Sequence, residues 1–312
     1  MDNFIISIEA IIPMFSMLVL GVMVKKLKLL NDSELTSLNS MIFKALFPIL
    51  MFANIYGTKI EEAFNFSLIV YAVSAILIVY VITTLVVLKI EKSNAKRGAM
   101  IQAIYRSNFV LMGLPIAVNL VGDGNVGTTA IMVAIIVPLY NVLAVLTLEC
   151  YRGGKVSFKK IVLGIIKNPL ILGSLVGIAV MLLKIQLPSV VEKTVSQISA
   201  AATPMALIVL GASFNIKSVE EGIKDLSICV IGRLIIVPAV ILSIAALIGI
   251  RDIAFITLIG IFASPCAVSS YTMAQQMDSD ADLAGNTVIF TSALACFTMF
   301  VWIFLFKQLG MF

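Results

Sequence analysis

The chain has 312 residues, of which 61% are hydrophobic and 12% are charged, and its mean hydropathy is +1.10. Soluble domains are about half apolar and a quarter charged, so this composition excludes a soluble globular protein and indicates a polytopic membrane protein. The net charge of +5 reflects loop lysines that orient the chain and gives no reason to expect a nucleic-acid partner. The start, Met1-Asp-Asn-Phe4, lacks the basic residues of a secretory signal.

Apolar runs of about 20 residues can cross a bilayer as helices. The runs in this chain predict an all-α fold with ten transmembrane helices joined by short loops. In chain order the predicted spans are 5–24, 37–55, 66–88, 99–121, 127–148, 161–183, 192–214, 227–250, 252–276 and 283–306.

Most of the Lys and Arg residues between the spans lie in the odd-numbered loops, for example Lys89, Lys92, Lys96 and Arg97. Since basic loops stay in the cytoplasm, the bias predicts that both termini lie outside the cell membrane.

Three proline pairs indicate an internal repeat. Pro13 and Pro169 are 156 residues apart, as are Pro48 and Pro204, and Pro115 and Pro265 are separated by 150. The predicted halves are residues 1–148 and 161–312, joined by a short cytoplasmic connector at 149–160. Because each half has five spans, the second half must insert upside down. Inverted repeats of this kind are typical of secondary transporters, which bind substrate near the membrane midplane between broken helices.

Two breaks are predicted inside apolar runs, at Gly113-Leu-Pro115 in span 4 and at Ser264-Pro265 in span 9. Proline removes a backbone donor, and lipid offers the freed carbonyl no water. We expect each proline to open a second half-helix, with Ser264 as the N-cap of one of them. Two half-helix N-termini facing each other at mid-membrane would suit an anion. The alternative is a pair of ordinary proline kinks.

The charged residues inside the spans are mostly cations, namely Lys44, Arg106, Lys167 and Arg233, whereas the comparable acid is Glu9. Ionisable groups inside membranes are costly and are functional candidates. Snorkelling to the surface explains Lys167, and it is an open alternative for Lys44 and Arg233. Arg106 lies shortly before the Pro115 break and is a candidate for binding substrate. The excess of cations favours an anionic substrate.

Polar uncharged residues add to the candidate substrate site. The amides of Asn108 and Asn141 need partners when buried, and Ser269 and Ser270 follow the second break. The full set of candidates is Arg106, Asn108, Gly113, Pro115, Asn141, Ser264, Pro265, Ser269 and Ser270. The Gly173-Ser-Leu-Val-Gly177 motif is typical of helix packing; it could form a homodimer face, but packing inside one protomer is favoured.

Several motifs resemble the auxin efflux carrier family. The segment Asn108-Phe-Val-Leu-Met-Gly-Leu-Pro115, followed by Gly122-Asp-Gly124, is similar to the signature of the family's fourth span. Tyr151-Arg-Gly153, Asn168-Pro169 and Pro265 match in the same order along the chain. The short connector differs from the long central loop of the plant carriers, and this favours a prokaryotic carrier of the malate or malonate permease type.

The resemblance implies a fold similar to bile-acid symporters and sodium/proton antiporters. Spans 1, 2, 6 and 7 would form a scaffold, and spans 3–5 and 8–10 a moving domain in which spans 4 and 9 cross. The implied function is secondary transport of small organic anions, such as carboxylates, across the plasma membrane by alternating access. A sodium-coupled symporter of the same fold is the alternative, and coupling to a proton or sodium gradient stays open.

Enzymatic activity, a metal site and a bound cofactor are not expected. The chain has no histidine, and its four cysteines show no metal or disulfide spacing. The partners that we expect are the organic anion and the lipid bilayer.

Overall fold

The computed structural model describes residues 2–56, 58, 65–121, 127–152 and 158–312, and the side chains of 2–11, 118, 121 and 158–161 are not described. Gly122-Asp-Gly124, the middle of the predicted connector and the side chain of Glu9 therefore lie outside the described part. The described part is almost entirely helical and contains no strand, which confirms the predicted all-helical class.

The described helices have the following bounds in chain order: α1 Asp2–Lys26, α2 Asp32–Tyr56, α3 Phe66–Ile90, α4 Asn94–Tyr105, α5 109–121, α6 Gly127–Tyr151, α7 Phe158–Lys167, α8 Pro169–Leu182, α9 Ser189–Ser213, α10 Ile216–Glu221, α11 Ile223–Leu247, α12 Asp252–Phe262, α13 Ser269–Gln276 and α14 Ala281–Gln308. Six of them are long and apolar enough to cross a membrane: α2, α3, α6, α9, α11 and α14. These six coincide, within a few residues, with predicted spans 2, 3, 5, 7, 8 and 10.

The predicted sixth span, 161–183, is wrong in its bounds. It consists of two helices, because α7 ends at Lys167 and α8 begins at Pro169. The side chain of Asn168 accepts a hydrogen bond from the backbone N–H of Leu170 at 3.0 Å. An Asn N-cap followed by proline at the first helical position is a strong helix start, and it outweighs the continuous apolar pattern.

Two turns, one after α1 and one after α8, have the same backbone structure. Lys28 follows α1 and Lys184 follows α8, and both have a left-handed backbone, with φ of 56° and 53°. In both, this residue and the next one donate back to carbonyls of the last helical turn. The bonds are Lys28 N to Lys25 O, Leu29 N to Val24 O, Lys184 N to Met181 O and Ile185 N to Val180 O. This is the Schellman pattern, in which glycine is usual, here twice with lysine.

Four helices pack in two pairs through glycines. A Cβ on Gly21 of α1 would lie 2.1 Å from the Ile208 carbonyl oxygen of α9, and one on Gly211 of α9 would lie 2.1 Å from that of Leu18. In the second pair, a Cβ on Gly173 of α8 would lie 2.2 Å from the Pro48 carbonyl oxygen of α2. The Gly173 motif is therefore used for packing inside the protein.

Candidate functional site

Two segments that interrupt helices pair with each other, and we call this place the crossing. The first lies between α4 and α5 at Arg106–Asn108, and the second lies between α12 and α13 at residues 263–268. Ser107 and Cys266 form an antiparallel β-bridge, and the N–H of Asn108 donates to the carbonyl of Pro265 at 2.7 Å. The two breaks therefore supply hydrogen-bond partners for some of each other's backbone N–H and C=O groups, which cannot stay unpaired in apolar surroundings.

The predicted position of the first break is wrong. The helix is interrupted at Arg106–Asn108, whereas Gly113 and Pro115 lie inside α5. α5 begins with a π turn, Phe109–Gly113, in which the N–H of Leu114 donates to the carbonyl of Phe109. A wider turn relieves the clash that a proline ring causes in an α-helix, so the helix continues through Pro115.

The second break is found where it was predicted, but its details differ. α13 begins at Ser269, four residues after Pro265, so the proline does not open the half-helix. Ser264 is not an N-cap, because its hydroxyl donates to the carbonyl of Gly260 in the preceding helix. A serine at the end of a helix can satisfy its hydroxyl locally in this way.

Gly113 and Gly260 bring α5 and α12 into direct backbone contact. A Cβ on Gly113 would lie 2.3 Å from the carbonyl oxygen of Gly260, and one on Gly260 would lie 3.0 Å from that of Gly113. Gly113 is therefore a packing residue of the crossing and does not line the cavity described next.

A cavity of about 100 Å³ lies between the crossing, α6 and two of the paired helices, α2 and α9. Cavities for drug-sized ligands measure about 300–1,000 Å³, so this one is sized for a small molecule. Its described polar lining residues are Asn54, Arg106, Ser107, Asn108, Tyr140, Asn141, Thr203 and Ser269.

Arg106 is the cation of this cavity, and its side chain is 3% exposed. Its guanidinium donates to the Asn141 side-chain oxygen at 2.7 Å, to that of Gln102 at 3.1 Å and to the sulfur of Met273 at 2.9 Å. In the part of the chain that the structure describes, no carboxylate pairs with it. A buried guanidinium with neutral partners has an uncompensated positive charge, which an anion can neutralise.

Two half-helix N-termini line the same cavity, at Asn108–Leu111 and at Ala267–Ser269. No side chain caps the start of α5 or of α13. In the first turn of α13 the N–H groups of Ser270 and Tyr271 donate to the carbonyls of Ala267 and Val268, and each helix N-terminus carries about half a positive charge. The side-chain nitrogen of Asn108 is buried and lacks a hydrogen-bond partner. The positive potential of Arg106 and of the two helix N-termini suits an anion in this cavity.

The structure brings together four of the nine predicted site residues, namely Arg106, Asn108, Asn141 and Ser269. The other five do not line the cavity: Gly113, Pro115, Ser264, Pro265 and Ser270. Pro115 is exposed on α5, and Pro265 acts through its carbonyl. Four further polar lining residues were not among the nine, namely Asn54, Ser107, Tyr140 and Thr203. Thr203 directly precedes Pro204, one of the prolines of the predicted repeat, and this position in the sequence could have indicated Thr203 as a site residue.

The remaining intramembrane cations differ in position. Lys44 and Lys167 are exposed, in agreement with snorkelling. For Arg233 the snorkelling alternative is wrong, because its side chain is 0% exposed and is surrounded by the crossing helices.

A second, mostly apolar cavity of about 320 Å³ adjoins the first. It lies between α5 and helices α1, α2 and α9, and it shares Leu50, Leu111 and Thr203 with the first cavity. On the α13 side, by contrast, the side-chain amide of Asn39 in α2 donates to the Thr272 carbonyl of α13 at 3.3 Å, and Asn39 is fully buried. α13 therefore contacts α2 directly, whereas a cavity lies between α5 and the helices α1, α2 and α9.

Comparison with known proteins gives consistent matches over nearly the whole chain. The family described as "Membrane transport protein" matches residues 6–158 and 154–303. An "Uncharacterized transporter" of Methanocaldococcus jannaschii is 22% identical, covering 95% of this chain and 98% of that protein. A "Putative malonate transporter" of Rhizobium meliloti is also 22% identical, covering 93% of this chain and 92% of the relative.

Proposed function

On the premise that the chain belongs to the membrane transport protein family, we propose that it is a secondary carrier of small organic anions such as malate or malonate. The family match confirms the resemblance to auxin efflux carriers. The observation that carries the substrate class is Arg106, a buried cation that lines the central cavity with neutral partners only. The two uncapped half-helix N-termini at the same cavity add positive potential. The name of the Rhizobium relative points to the same chemical class.

In this proposal the chain spans the plasma membrane ten times as two inverted repeats. The six long helices supply six spans, α1 and α8 supply two, and the pairs α4–α5 and α12–α13 supply the two broken ones. The matching turns at Lys28 and Lys184 support the repeat, as do the two glycine-mediated helix pairs. The distribution of loop charges supports an orientation with both termini outside.

We assign alternating access to motion of the crossing helices against α1, α2, α8 and α9. In this proposal the Asn39–Thr272 hydrogen bond closes the α13 side, and the apolar cavity at α5 opens outward. The side-chain oxygens of Asn39 and Thr272 have no partner, so opening this side costs one hydrogen bond. A low cost of opening suits a carrier that must visit both states.

Removing that hydrogen bond should shift the carrier away from the outward-facing state. Asn39→Ala loses about 1 kcal/mol, which is about fivefold in the population ratio. We expect a membrane-impermeant maleimide to label a cysteine placed at Ser199, in the apolar cavity, more slowly in the Asn39→Ala variant, by up to about fivefold. Thr36→Ala, which changes an exposed residue of the same helix, is the control. An unchanged or faster labelling rate would contradict this role for Asn39.

The proposed function is tested in proteoliposomes that are preloaded with mono- and dicarboxylates. We expect exchange of at least one small carboxylate and no transport of organic cations of similar size. Repeating the exchange with and without gradients of sodium and of protons separates a uniporter or exchanger from the sodium-coupled alternative. If no organic anion moves under any gradient, the proposed substrate class is wrong.

A further inference from the structure

Arg233 donates to the main chain of both broken helices. It lies in the π turn Gly232–Ile236 of α11. Its acceptors are five carbonyl oxygens, those of Ile104 at 3.2 Å, Tyr105 at 3.1 Å, Ile261 at 3.0 Å, Phe262 at 2.7 Å and Ser264 at 2.8 Å.

These acceptors belong to the helix ends that meet at the crossing. α4 ends at Tyr105 and α12 ends at Phe262. The last carbonyls of a helix have no partner within it, and together they carry about half a negative charge. A guanidinium has five donors in a fixed plane, and all three nitrogens of Arg233 are used here. One side chain therefore caps two helices that come from opposite halves of the chain.

We propose that Arg233 is a positioning residue that fixes the two breaks relative to each other and so sets the distance between the two half-helix N-termini at the cavity. It does not line the cavity, so it acts on the substrate only through the backbone that it holds. The two arginines thus have separate roles. Arg233 neutralises the negative C-terminal ends of α4 and α12, so the charge of Arg106 stays available for a ligand in the cavity. The part of this inference that concerns substrate rests on the proposed function, whereas the part that concerns geometry does not.

The β-bridge offers a direct readout of that geometry. Asn108 N–H donates to Pro265 O, so Ser107 and Cys266 are a pair without mutual hydrogen bonds. The Cα atoms of such a pair are about 4.5 Å apart, which lies within the range for a disulfide. Ser107→Cys, combined with the native Cys266, should therefore cross-link the breaks when the thiols are oxidised with copper phenanthroline.

The experiment compares the rate of this cross-link with arginine and with lysine at position 233. Lysine keeps the charge, but its ammonium has three donors and cannot reach five acceptors on two helices. We expect cross-linking at least about tenfold slower in Ser107→Cys/Arg233→Lys, measured by mass spectrometry of the joined peptides. Arg251→Lys is the matched control, because Arg251 also donates to carbonyls, of Ala246 and Ile250, but away from the crossing. Equal rates at position 233 would overturn the proposal.

Rescue separates positioning from a general contribution to folding. Once the disulfide has formed, the lysine variant should bind malonate as tightly as the cross-linked chain with Arg233, and reduction should weaken its binding again. A cross-linked lysine variant that stays impaired would overturn the proposal. If the lysine variant is recovered folded only when oxidised, the disulfide takes over the positioning of the breaks from Arg233, as proposed. If the variant is not recovered folded in either state, the proposal fails. If no anion binds to any variant, the rate comparison still decides the geometric part.

Discussion

Replacing Arg106 with glutamine should lower kcat/KM for anion uptake by about 30- to 150-fold, which corresponds to about 2–3 kcal/mol. Glutamine keeps an amide donor near Asn141 and Gln102, so the surroundings of the side chain stay partly satisfied. What it removes is the positive charge in a cavity where no described carboxylate opposes it. The loss should therefore appear in substrate binding rather than in the amount of folded protein.

Two variants calibrate the Arg106 result in the same proteoliposome assay. Arg106→Lys keeps the charge but cannot donate to several partners at once, and should fall between the wild type and Arg106→Gln. Asn108→Ala removes an unpaired donor at the cavity and should cost about tenfold. Lys44→Gln, at an exposed cation, is the control and should transport normally. Unchanged uptake by both Arg106→Gln and Asn108→Ala would show that the substrate binds elsewhere.

Gly113→Ala should abolish transport and destabilise the protein by about 1–3 kcal/mol. The new Cβ would stand 2.3 Å from the carbonyl oxygen of Gly260, and a backbone atom cannot rotate away as a side chain can. Relief requires α5 to move from α12, which would displace the N-terminus of α5 at the cavity. Transport should thus be lost even in variants that remain folded, as judged by thermal unfolding in detergent.

Gly164→Ala is the matched control for this substitution. Its Cβ would approach an atom of the Glu149 side chain at 2.8 Å, and that side chain can rotate. We expect near-normal unfolding temperature and uptake. If Gly113→Ala behaves like Gly164→Ala, the close contact between α5 and α12 is not required for transport.

The helices could be predicted from the sequence because apolar runs of sufficient length have few alternatives in a membrane. Predicted span 3 begins at residue 66, as α3 does, and predicted span 5 begins at residue 127, as α6 does. The sixth span was predicted too long because hydropathy does not detect a cap such as Asn168. Local capping and hydropathy are separate signals, and here the cap decides where α8 starts.

The site was harder to predict because it depends on contacts between distant segments. The first break is at Arg106–Asn108, where its backbone pairs with residues 265 and 266, and no local pattern encodes that pairing. The glycine and proline that marked span 4 turned out to serve helix packing and a π turn. The sequence could not show whether Arg233 is buried or snorkels to the membrane surface, since an arginine of either kind has apolar neighbours in the sequence.

The glycine-mediated helix pairs constrain how the protein is made. α1 and α2 leave the ribosome first, but the helices that they pack against, α9 and α8, belong to the second half. The close-packed faces at Gly21 and Pro48 therefore stay without their partners until α8 and α9 have been synthesised. Such non-local contacts form late and slowly. A nascent chain that stops after α6 thus lacks the surfaces of α8 and α9 against which α1 and α2 pack.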